Sequence, residues 1–149
     1  MIAELLLDLL ARVQTVPALS GSASLTLGGK VDDATLQKIL LPAAWVRFPK
    51  DIPDERSYTH GPESGVISKS QAMQAVFSVV IFVQYTTDDD FATVQVPLLE
   101  AVRDIVHAEQ PDIPGVFAWR YAGSHIVRVF QDRLAYEQVY TVDYSTQSS

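Results

Sequence analysis

Residues 73–85 read MQAVFSVVIFVQY. Side chains alternate across a strand, so Phe77, Val79, Ile81, Val83 and Tyr85 fall on one face and Val76, Val80 and Phe82 on the other. Both faces are apolar. A strand that is dry on both sides belongs in the middle of a sheet with cover above and below, so this segment is expected to be the central strand.

Toward the N-terminus, apolar residues at 2, 5, 6, 9, 10 and 13 recur at helical spacing, with Glu4, Asp8 and Arg12 opposite them. That is an amphipathic helix ending before Pro17. The segment 18–29, ALSGSASLTLGG, is small and polar, a flexible stretch in which SLTL is a short strand or an extended linker. Asp32 or Asp33 caps a short helix through Ile39, Pro42 stops it, and AAWVRF (43–48) has the bulk of a strand. The following PKDIPDERSYTHGPESGVISKS (49–70) carries three prolines and no periodic apolar face, and a long mobile loop is expected there.

Toward the C-terminus, TTDDD (86–90) is a turn whose carboxylates suit a helix N-terminus. Phe91, Val94, Leu98, Val102 and Ile105 then keep helical spacing, joined by Leu99 and Val106. Pro97 interrupts them, so either the helix kinks there or only 97–108 is properly helical. Beyond PDIPG, strands are expected at 116–121, 125–130 and 133–144, with turns at Gly123 and at Gln131 and Asp132. The order predicts one α+β domain over 1–149: a mostly antiparallel sheet of four to five strands, two main helices packed on one face, and a tail at 145–149.

Composition narrows the function. Of the 149 residues 48% are apolar and 19% charged, which is globular usage. There is no cysteine, so disulfides, thiolate nucleophiles and cysteine-based metal sites are excluded. The longest apolar run is too short to cross a bilayer, and no membrane partner is expected. Net charge is −7, and between residues 88 and 112 seven carboxylates face Arg103 alone. Tight nucleic-acid binding needs clustered Lys and Arg, which this chain lacks.

No catalytic or cofactor signature emerges. His60, His107 and His125 lack the i, i+4 spacing of a helical metal site, and no serine stands in a GxSxG elbow. Asp88, Asp89 and Asp90 are adjacent, without the alternation of a calcium loop. LGGK (27–30) lacks the first glycine and the Ser or Thr of a phosphate loop. The expectation is no catalytic residue, no metal and no cofactor.

The aromatic residues are more telling. RLAYEQVYTVDY (133–144) places Leu134, Tyr136, Gln138, Tyr140, Val142 and Tyr144 on one side of a strand. One reading puts this row under the helices as core. The other makes Tyr85, Tyr136 and Tyr140 part of the second sheet face, covered by a neighbouring subunit, since an apolar ring with a polar tip suits an interface.

The combination of FSVVIFVQY, LLEAVRDIV, WRYAG, IVRVF and RLAYEQVYTVDY across 75–144 resembles the tail terminator or tail-completion proteins of long-tailed bacteriophages, notably those of Mu-like phages. The resemblance implies a small α+β subunit that assembles as a hexameric ring on the end of the tail tube, stops its polymerisation and offers a surface to the head connector. It implies a place in the virion at the head–tail junction, with the tube protein and a connector or stopper protein as partners, DNA passing through the ring, and no catalysis. Under it the 49–70 loop, with Arg56, Tyr58 and His60, becomes a contact to the tube or the next subunit. Three alternatives stand beside it: a head-completion or stopper ring, a ligand-binding module using the aromatic face, and an enzyme whose carboxylates meet only in space.

Overall fold

The computed structural model describes residues 1–26, 29–53 and 70–147. Helix α1 (Ile2–Gln14) leads through a 3-10 turn (Pro17–Leu19) into strand β1 (Ala23–Leu25), then helix α2 (Asp33–Lys38) and strand β2 (Ala43–Pro53). Strand β3 (Ser70–Gln84) is followed by one α turn (Asp88–Asp90), a wider π turn (Phe91–Gln95) and helix α3 (Val96–Val106). Strands β4 (Arg120–Phe130) and β5 (Arg133–Gln147) close the chain. The sheet order is β1-β2-β3-β5-β4, antiparallel throughout except for the parallel β1–β2 pair. This is the expected α+β class, and β3 is the central strand.

Several boundaries differ from expectation, each for a local reason. Gly123 makes no turn: it adopts φ +138 at a register shift inside a single strand β4, because a bulge absorbs a positive φ without reversing the chain. Of the strand expected at 116–121, Val116 forms only an isolated bridge to Tyr144. The expected loop begins too early, since β2 pairs with β3 as far as Pro53. Pro49 falls where the register shifts between Arg47 and Lys50, a place where a residue without an N–H is tolerated. Strand β5 likewise takes up residues 145–147 of the expected tail, and 18–29 holds the end of the 3-10 turn and β1. The rest of the loop, with Arg56, Tyr58 and His60, lies outside the described residues.

Pro97 occupies the first turn of α3, where its missing N–H costs nothing, and the π turn before it takes up the mismatch. Thr87 caps the acidic turn by accepting from the Asp90 N–H at 3.1 Å.

The two helices with amphipathic spacing pack on one sheet face. Leu5, Leu9 and Val13 of α1 and Leu99, Val102 and Val106 of α3 meet Phe77, Val79, Ile81 and Val83 of β3 in one cluster. Trp119 is fully buried there, its ring 5.3 Å from Phe77, and its indole N–H donates to Asp8 Oδ2 at 2.8 Å. Arg12 Nε donates to the same oxygen at 2.8 Å, so the carboxylate satisfies a buried donor while staying paired.

The tyrosine row faces these helices. Tyr140 is 0% exposed and Tyr144 4% exposed within the cluster. That corrects the expectation of a second-face interface through Tyr140. In β5 the odd and even positions divide between the faces, and the even set with Leu134 and Val142 is the drier one, so α1 and α3 cover it.

Among the described residues, the other face receives only α2. Leu36 packs on Ala43, Val80, Phe82 and Ala135, bordered by Trp45, whose ring meets Phe82 edge-on at 4.9 Å. Polar contacts peg both ends of this short helix. Asp32 Oδ1 accepts from the Thr35 N–H at 2.9 Å, and Arg128 Nε donates to Asp33 at 2.8 Å. Arg133 donates to the carbonyls of Leu36 and Ile39 at the C-terminal end.

Candidate functional site

Five strands at about 4.8 Å spacing make a sheet roughly 19 Å across, while two helices packed 8–10 Å apart cover about four of them. Helix α1 lies against β1 and β2, and α3 lies beside it and reaches the Tyr121 end of β4, so that among the described residues the Ile126–Phe130 end of this edge strand is left without a helix above it. The result is a groove between α3 and β4. Its floor is Tyr121, Tyr136 and Gln138, its wall Phe91, Val96, Leu99, Glu100 and Arg103, and its volume about 210 Å³.

Register extends the floor. Ile126 pairs with Tyr136 and Val129 with Leu134, so both project on the helix side, where they are 53% and 52% exposed. Apolar side chains that packing leaves half in water, next to aromatic rings, are material for a covered surface.

The polar tips are tied to one another. Ser124 Oγ hydrogen-bonds both the Tyr121 and the Tyr136 hydroxyls. The Arg103 guanidinium lies 5.7 Å from the centre of the Tyr121 ring, a cation–π contact on the groove wall. Beneath, Gln138 Nε2 donates to the Leu99 carbonyl at 2.8 Å and Gln138 Oε1 accepts from the Tyr140 hydroxyl at 2.6 Å. Burial pushes the Tyr140 phenol well above its ordinary pKa, so it serves as a neutral donor. The floor is therefore preformed and rigid.

Chemically the groove offers rings, hydroxyls, one guanidinium and one carboxylate. Its volume is below the roughly 300–1,000 Å³ of small-molecule sites, which disfavours the ligand-binding alternative. Among the described residues no group of three or more His, Asp or Glu is placed to hold a metal ion, and no helix is long and apolar enough to cross a membrane. His107 Nδ1 accepts the Tyr121 N–H at 3.0 Å, and His125 Nε2 lies 3.3 Å from Glu137 on the opposite sheet face.

Of the residues singled out in sequence, Tyr136 lies in the groove floor. Tyr85 packs on Phe91 of the wall, ring centres 5.4 Å apart, and its hydroxyl bonds to Asp88. Tyr140 lies beneath the floor. Sequence reasoning missed Tyr121, Arg103, Ile126 and Val129. Reading Gly123 as a turn cut β4 in two, and the register shift between Ile126 and Arg128 breaks the alternation, so no period of two marks the exposed apolar pair in the sequence.

No family model matches the sequence, and no curated protein is similar to it in sequence. The fold is shared with solved structures. One is a chain from a structure described as the virion of a native gene transfer agent particle, with a TM-score of 0.59 and 14% identity, covering 95% of this chain and 95% of that chain. At that identity the likeness is one of fold.

Proposed function

We propose that the chain is a structural virion protein acting as a tail terminator: a ring that caps the tail tube, stops its growth and presents a surface for head attachment. The observation that carries this reading is the extent of the fold likeness, which takes in 95% of both chains and so matches the whole subunit of a virion particle and not a shared substructure. The sequence resemblance over 75–144 supports it independently. The partners are further copies of the chain, six to a ring, the tail tube protein and the connector or stopper. DNA passes through the ring without tight binding, in keeping with a net charge of −7. No reaction is assigned to it.

Native mass spectrometry across a concentration series, with purified tail tubes and separately with heads, tests the reading. A six-subunit species that binds tube ends supports it. Binding to heads and not to tubes converts the terminator into a head-completion ring. A monomer at every concentration that binds neither overturns the proposal.

A further inference from the structure

We propose that the groove between α3 and β4 is one half of the ring contact, and that its occupant is the outer face of α1 from the next copy; this rests on the ring reading above. A closed ring needs two different patches per subunit, set on different sides. The helix layer provides them. The order across it is α1, α3, then the open stretch over the Ile126–Phe130 end of β4, so an incoming α1 continues the layer from one subunit to the next.

The outer face of α1 has the required shape. Ala3, Leu7 and Ala11, spaced i, i+4, i+8, are all exposed, and Leu7 is 57% exposed despite the helix burying Leu5, Leu6, Leu9 and Val13. Small residues flanking one leucine let the helix approach closely, with Leu7 as the knob. Leu7 also points away from α3. Gln14, two turns on along the same side, reaches the Ala23 carbonyl of β1, whereas Asp8 and Arg12 turn toward Trp119 and Gln110. The knob thus lies on the β1 flank of the layer and the groove on the β4 flank.

Charge selects the same pairing. Beside Leu7 stands Glu4, its side chain 62% exposed and 3.8 Å from the terminal ammonium of Met1, while Arg12 is drawn away to Asp8 and Glu109. The groove wall carries Arg103, 44% exposed with Asp104 4.0 Å away. Seating Leu7 between Tyr136 and Ile126 brings Glu4 toward Arg103, exchanging two half-hydrated charges for an ion pair at the rim of an apolar contact.

The absence of cysteine makes the test clean. The Leu7→Cys/Ile126→Cys double variant, assembled and mildly oxidised, should give a ladder of disulfide-linked species up to the closed ring. Leu7→Cys paired with Phe117→Cys should stay unlinked. Because Leu7 and Ile126 are exposed, Leu7→Glu and Ile126→Glu should leave the fold intact and raise the concentration needed for assembly about tenfold or more. Mixed one to one, these two variants should form heterodimers and go no further, since each pair retains a single sound contact. If the protein assembles but gives no 7–126 ladder and tolerates both glutamates, this contact is overturned while the ring reading stands. If the unmodified protein does not assemble and the Leu7→Cys/Ile126→Cys variant does not cross-link, both fall.

Discussion

The two faces of the sheet are built on different terms. One is a dry layer: two amphipathic helices bury Leu5, Leu9, Val13, Leu99, Val102 and Val106 against β3 and β5, and Trp119 and Tyr140 find hydrogen bonds inside it. The other is covered over part of its length by the six residues of α2, held by one buried leucine and by arginines at its ends. Beyond α2 that face carries polar links across strands, Arg47 to Glu137 and Arg120 to Asp143. Burial stabilises the first face, while pegs and ion pairs position the second. The aromatic row, which by composition fits either, goes to the dry face because the even positions of β5 are the more apolar set.

The sharpest way to break this comparison is to charge the dry layer. Tyr140→Asp places a carboxylate where nothing pairs with it, and the monomer should lose its cooperative thermal transition, whereas Tyr136→Asp in the half-buried groove floor should keep the fold and lose assembly. Equal tolerance of the two by circular dichroism would show that the row is not core. Next in size, Leu9→Ala should cost about 3–5 kcal/mol in denaturant unfolding and Leu36→Ala about 2 kcal/mol. Both leucines are fully buried, but a helix of six residues settles onto a cavity more readily than one locked beside α3. A reversed order would mean that α2 is the more rigid cover.

Removing a peg should do less. Arg133→Ala strips the C-terminal carbonyls of α2 of their donor and should cost about 1–2 kcal/mol, with faster amide exchange confined to 33–39. The smallest effect is a titration. The Thr35 backbone N–H, and then its hydroxyl, hold the Asp32 carboxyl below its ordinary pKa. A depressed pKa means stability that is complete above the unfolded value of about 3.9 and is lost as pH falls through the folded value. The exchange protection of α2 should therefore weaken only in that acid range. Asp32→Asn should remove this dependence and leave the dry face unmoved.

How much was legible follows from the kind of signal each element carries. Residues 73–85 announced a central strand because both alternating sets are apolar, and α1 was evident from its period. The bulge at Gly123 was not, since a glycine between strand-like segments reads equally as a turn or as a kink inside one strand, and only the ladder to β5 distinguishes them. The extension of β2 was hidden for a similar reason: Pro49 breaks a pattern locally, while pairing with β3 restores the strand beyond it. The groove was legible in one residue, Tyr136. The others come from the π turn, α3, β4 and β5 itself.

By itself the sequence determined the class, the central strand, the two covering helices and the lack of cysteine chemistry, because these depend on composition and on periods of two and 3.6 residues that short segments carry alone. Only the tertiary structure decided which face took the tyrosines, where β4 runs unbroken, and that its helix side lies open beside α3. Those outcomes depend on competition between distant segments for a limited area of sheet. A helix about 10 Å wide cannot cover more than two strands, and no local pattern records which strand is left over.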